Sequence, residues 1–174
     1  MKKLTALALA SLALLGLLTA CGGEKTNTPD VDLEAFYTGL AEKYGWTGNA
    51  EIGGPDALVM ADTEGELLEN YYPGLSELAP KQMVLKMPMM SAVVNELAFV
   101  QCETEEDAAK AAEIFQARID YQVGDETNPG GAWYPESIEG WKKAEVIQKG
   151  TYAALIASAE HQDEIVESLE QQFQ

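Results

Sequence analysis

Val93-Val94-Asn95-Glu96-Leu97-Ala98-Phe99-Val100-Gln101-Cys102, followed at once by Glu103-Thr104-Glu105-Glu106-Asp107, is the stretch from which the fold is read. An apolar run of strand length gives way to a helix start. Thr104 with Asp107 opens that helix, and Glu105, Glu106 and Asp107 sit where the positive end of the helix dipole favours acids. Ala108, Ala111, Ala112, Phe115 and Ile119 then recur at helical spacing until Gly124 ends the pattern. Upstream, Lys81–Met90 reads as the partner strand of Val93–Cys102, joined near Ser91-Ala92, with Pro88 demoting its end to an edge or bulge.

The same order recurs near the C-terminus. Glu145–Lys149 and Thr151–Ser158 form a second hairpin turning at Lys149-Gly150, and a helix from about His161 to Phe173 buries Ile165, Val166, Leu169 and Phe173. The recurrence is either an internal repeat or a shared strand–turn–helix grammar, and the second is preferred. On the N-terminal side, Leu33, Phe36, Tyr37, Leu40, Ala41 and Tyr44 mark a helix from Asp32, stopped by Gly45. Residues 47–61 read as loop with a short strand at Ala57–Met60. Thr63 with Glu66 fits a capping box for a short helix that Pro73-Gly74 terminates. A further short helix is expected over Pro135–Lys143, proline in its first turn. The expected fold is α+β: an antiparallel sheet built from two β-hairpins, each followed by a helix, with N-terminal helices packing on the domain and helices covering one sheet face.

The beginning of the chain carries an address. Lys2 and Lys3 precede an apolar run, Leu4 to Leu18, broken only by Thr5, Ser11 and Gly16. That is the pattern of a secretory signal peptide, short of the roughly 20 residues a transmembrane helix needs. It ends in Leu18-Thr19-Ala20-Cys21, which resembles the lipobox of bacterial lipoprotein precursors. The resemblance implies a diacylglycerol on the Cys21 sulfur and cleavage before that residue. Ala20 is small enough for a peptidase pocket, and a thiol is the soft nucleophile that thioether formation needs. Two acyl chains, palmitate or similar, supply the double signal of stable anchoring. The expected organisation is a lipoprotein signal peptide over 1–20, lipidated cysteine and flexible tether over 21–31, and a single domain over 32–174. The localisation that follows is the outer face of the cytoplasmic membrane.

The chain has a net charge of −18, and its first twenty residues hold two lysines and no acid, so the remainder stands at −20. Such a surface repels nucleic acid and anionic headgroups, and no nucleic-acid partner is expected. Solubility explains the charge, and attraction of cations or of a basic partner is the sharper alternative. With Cys21 lipidated, Cys102 has no intrachain partner, so no disulfide framework is possible, and Cys102 reads as a small buried hydrophobe.

From Asp32 onward the chain resembles a domain of unknown function, the family numbered four-three-five-eight, found in cell-surface lipoproteins of low-GC Gram-positive bacteria. The matching residues are the Asn95-Glu96-Leu97-Ala98-Phe99-Val100 strand, Arg118 with Gln122, Tyr134-Pro135-Glu136, Lys149-Gly150-Thr151-Tyr152 and the closing acidic helix. The resemblance implies architecture and membrane anchoring. It implies no activity, cofactor or catalytic residue.

No hydrolase elbow, Cys/His metal spacing, phosphate loop or calcium loop appears. His161 stands alone, and Glu103, Glu105, Glu106 and Asp107 are explained by helix-start chemistry. Met83, Leu85, Met87 and Met89 alternate onto one strand face as a core requires, which is preferred to copper binding by thioethers. Neither a metal nor another cofactor is assigned. Arg118, Tyr121, Trp133, Tyr134 and Trp141 gather in sequence around the glycine-rich 124–131 loop. They are the candidate binding residues, with a satellite core cluster as the alternative. The functional expectation is a membrane-anchored, non-enzymatic binding or accessory module with a protein or small-molecule partner. The alternatives are capture of a small solute or cation for a transporter, and a cell-wall or peptide hydrolase.

Overall fold

The computed structural model describes residues 28–46, 58–90 and 92–174. The signal peptide, Cys21, most of the tether, the loop over 47–57 and the start of the expected strand at Ala57 lie outside the described residues.

Helix α1 spans Leu33–Tyr44, with the Asp32 carboxylate accepting from the Ala35 N–H as N-cap. Strand β1 is Met60–Asp62, α2 is Glu66–Tyr71, and β2 is Gln82–Pro88. Strand β3 is Asn95–Gln101, and α3 is Glu105–Val123, capped by Thr104 through the Asp107 N–H. Helix α4 is Pro135–Trp141, β4 and β5 are Glu145–Lys149 and Tyr152–Ser158, and α5 is Gln162–Gln171. All neighbouring strands pair antiparallel in the order β1-β2-β3-β5-β4. The fold is α+β, two hairpins each followed by a helix, with α1 packed on the sheet and β1 added at one edge. Pro88 is the last residue of β2 and pairs with Met60, so its missing N–H falls where the strand stops.

Three local expectations change. The capping box at Thr63 is not made, because Gly65 is the N-cap of α2 and Thr63 is buried. The methionine alternation does not mark a core face along its whole length. Leu85 is buried, but Met83 is 40% exposed and Met89 70% exposed, one near the start of β2 and one beyond Pro88, where the strand has ended.

The third change concerns the layers, for helices lie on both faces. Ala98, Val100, Cys102, Ala153, Leu155 and Ala157 face α3, α4 and the 66–78 segment around Phe115 and Tyr72. Leu97, Phe99, Ala154 and Ile156 face α1 and α5 around Leu33, Tyr37 and Ile165. The two central strands are therefore apolar at successive positions, as double-sided burial requires. A rotation exchanging the antiparallel neighbours β3 and β5 would keep their helices on one face. Here α3 and α5 lie on opposite faces, so the two units share a grammar and not a duplicated structure.

The sheet also gives the domain two poles. At one, Thr28 lies against the β4–β5 turn so closely that a Cβ on Gly150 would come 2.3 Å from its Oγ1. There the Val31 N–H donates to the Tyr152 hydroxyl at 2.9 Å, and the Leu33 N–H to Gln82 Oε1 at 3.0 Å. The other pole holds the end of β2, the start of β3, the C-terminus of α3 and the start of α4. Seven-residue strands separate the poles by about 20 Å.

Candidate binding face

Arg118 and Glu96 build the ground on which this second pole stands. Glu96 alternates onto the α3 face of β3 beside Ala98 and Val100, and Arg118 falls on the buried stripe of α3 with Ala111, Phe115 and Ile119. Their side chains are 4% and 5% exposed and meet in a two-pronged pair, Arg118 Nε to Glu96 Oε1 and Nη2 to Oε2, both 2.8 Å. The Tyr72 hydroxyl also donates to Glu96 Oε1 at 2.5 Å. The guanidinium lies over the Tyr71 ring at 4.1 Å and over the Trp141 ring at 5.5 Å. Burial, and then the Glu96 carboxylate, push the Tyr72 hydroxyl well above its ordinary range. For Arg118, burial opposes the charge but the hydrogen bonds and field of Glu96 outweigh it, and its pKa rises. The two charges compensate each other in the interior, and the Glu96 carboxylate accepts from both Arg118 and Tyr72.

The five residues singled out from sequence thus divide. Arg118 and Trp141 belong to this buried cluster. Tyr121, Trp133 and Tyr134 are 62%, 89% and 55% exposed. The loop that carries the latter two is tied down at several points. Asp125 Oδ1 accepts from the Thr127 N–H, the Thr127 hydroxyl and the Asn128 N–H, contacts that hold its carboxyl below the usual range, the Thr127 hydroxyl first. The returning strand then donates Gly131 N–H to the Tyr121 carbonyl at 2.8 Å and Ala132 N–H to the Gln122 carbonyl at 3.1 Å, satisfying the end of α3. This return needs bare backbone: a Cβ on Gly130 would lie 2.3 Å from the Gln122 carbonyl oxygen, and one on Gly131 2.5 Å from the Tyr121 ring. Tyr121 is therefore held beside the segment leading into Trp133 and Tyr134.

The β2–β3 turn adjoins the same segment. The Ser137 hydroxyl in the first turn of α4 donates to the Ala92 carbonyl at 3.0 Å, and Gly140 packs on Val94. Met89 and Met90 in that turn are 70% and 65% exposed. Sequence reading missed these two methionines as surface and missed Tyr71 and Tyr72 as partners of Arg118. A signal existed for the ion pair, since Glu96 and Arg118 each interrupt an otherwise apolar stripe. For Met89 the signal was Pro88, at which β2 ends.

Residues 56–158 match the family described as a domain of unknown function (DUF4358). The chain belongs to this family. The match spans β1 through β5, and so contains the sheet, the buried pair and the exposed aromatics. No curated protein and no solved structure matches the chain.

Two concavities among the described residues differ in kind. One, lined by Leu33, Phe99, Tyr152 and Phe173, has a volume of about 10 Å³, room for a single water. Another is an open depression along α2 at Gly65, Glu66 and Glu69.

Proposed function

We propose that this protein is a lipoprotein anchored through Cys21 to the outer face of the cytoplasmic membrane, where its domain acts as a non-enzymatic binding or accessory module. The observation that carries the reading is the polarity of the domain. The chain enters at Thr28 beside the β4–β5 turn, and Trp133, Tyr134, Met89 and Met90 crowd the opposite pole. Six residues lie between Cys21 and Thr28, so the seven steps from one to the other reach at most about 25 Å. An anchor at Cys21 would therefore keep the attachment pole within about 25 Å of the bilayer and leave the aromatic pole, which the tether does not engage, free to meet other molecules. Rigid, exposed aromatics on tied-down loops are the usual material of binding surfaces. Solute capture calls for an enclosed cleft of several hundred Å³, whereas the depression along α2, about 590 Å³, lies open to solvent and the cavity at Leu33 and Phe99 holds about 10 Å³.

Cell fractionation tests the anchor. The native chain is expected in the membrane fraction with its domain open to external protease, and Cys21→Ser is expected to be released from it. A Cys21→Ser chain that stays membrane-bound, or a native chain shielded from protease in intact cells, overturns the proposal.

A further inference from the structure

The aromatic pole has a charge as well as a shape. From Gln116 to Glu136 the chain carries four acids, Asp120, Asp125, Glu126 and Glu136, all exposed. Its single cation over that span is Arg118, which is buried and committed to Glu96. The open apolar groups Tyr121, Trp133 and Tyr134 thus share the 116–136 segment with four exposed acids, and the Ser137–Ala92 hydrogen bond brings the turn that carries Met89 and Met90 to the same segment. Elsewhere some acids are matched, Lys110 with Glu106 and Asp107, Lys86 with Asp62 and Lys142 with Glu139, while residues 150–174 carry five acids and no lysine or arginine, so it is the charge together with the open apolar groups that marks this pole. The acids of the 116–136 span have no lysine or arginine of their own.

We infer that this pole docks a cationic amphipathic segment, rich in Lys or Arg with interspersed Leu or Phe, presented by another extracytoplasmic protein. The inference deepens the binding-module reading and rests on it. Each component of the face selects for that chemistry. Methionine thioethers are flexible and polarisable, and adapt to varied apolar side chains. Trp133 and the two tyrosines offer ring faces on which an ammonium or guanidinium gains cation–π attraction. The four acids steer basic partners in and repel acidic ones. The same acids oppose insertion into an anionic bilayer, so a lipid surface is the poorer occupant.

Trp133 provides a reporter. The other tryptophans described, Trp46 and Trp141, are each 5% exposed, so an emission change on ligand addition reads Trp133. The full chain in nonionic detergent is titrated with an 18-residue Leu/Lys amphipathic peptide, a Leu/Glu peptide of equal apolar content, and soluble peptidoglycan fragments. The expected result is a blue shift with the Leu/Lys peptide alone, weakening as salt is raised. A second reading, by anisotropy of labelled peptide, uses Trp133→Ala/Tyr134→Ala, whose positions are exposed and whose fold should be retained by circular dichroism. It should bind at least tenfold more weakly. Glu126→Gln/Glu136→Gln should bind more weakly and show a shallower salt dependence.

Equal binding of the Leu/Glu peptide, undiminished binding by the aromatic double variant, or a response to glycan fragments and none to the Leu/Lys peptide each overturns the inference. Failure of the underlying reading looks different. If the charge class alone is wrong, photo-cross-linkers placed at this pole on living cells still capture a partner. If the pole is no binding face, they capture nothing.

Discussion

Removing the Arg118 side chain should be among the most damaging single changes on the α3 face of the sheet. Arg118→Met keeps most of the volume and the contact with Tyr71 and Trp141, but leaves the Glu96 carboxylate 96% buried with the Tyr72 hydroxyl as its remaining side-chain donor. Breaking a buried pair from one side costs roughly 3–5 kcal/mol, because the orphaned charge keeps its desolvation penalty. For a domain of this size 1 kcal/mol corresponds to about 2–4 °C, so the melting temperature should fall by roughly 10–15 °C. Removing both charges changes the arithmetic. Glu96→Leu with Arg118→Met abolishes the orphan, but strands the Tyr72 hydroxyl at a cost of about 1–3 kcal/mol. Adding Tyr72→Phe should recover most of the native stability. Urea unfolding of the single, double and triple variants reads these values, and the coupling energy between Glu96 and Arg118 should exceed about 2 kcal/mol. A single Arg118→Met variant within 1 kcal/mol of native, or a triple variant no better than the single, would refute the reasoning.

Three further outcomes are expected. Burial, with Asp62 and Glu34 adding to it, pushes the Tyr37 hydroxyl up to about 12 from 10. A raised pKa contributes stability that is complete below pH 10 and lost as pH climbs toward 12, at most about 2–3 kcal/mol, so Tyr37→Phe should flatten part of the alkaline decline measured by urea unfolding. Gly130→Ala drives a methyl into the Gln122 carbonyl, and should cost about 1–3 kcal/mol and shift Trp133 emission as the loop moves. Cys102 is fully buried, and burial followed by the Asp107 charge pushes its thiol up. It should resist thiol reagents in the native state and react on unfolding, and prompt native labelling would contradict its placement.

Much of the architecture was legible because it rests on local signals that tertiary structure did not oppose. Thr104 and Asp32 cap their helices as their side chains suggest, and Lys149-Gly150 turns its hairpin. The capping box at Thr63 failed because it competed with burial: Thr63 lies in the interior, and Gly65 starts the helix instead. Which face each helix covers was not legible. Alternation says that Ala98 and Leu97 point oppositely but not what lies beyond either, and the run of buried residues in β3 is the trace that two layers exist. The candidate face was legible in half. Trp133 and Tyr134 stand beside turn residues and are exposed, whereas Arg118 and Trp141, adjacent in sequence, turn inward because helical spacing carries them onto the core side of α3 and α4. Met89 and Met90 joined the face only when Ser137 met Ala92 across 45 residues of chain.

The account stands or falls on whether the pole remote from Thr28 is the one that meets other molecules. Photo-cross-linking amino acids placed singly at Tyr121, Tyr134 and Lys149 in intact cells test that directly. The account predicts a discrete cross-linked species from Tyr121 and Tyr134 and none from Lys149, at the attachment pole. Capture from Lys149 with silence at the two tyrosines would contradict it.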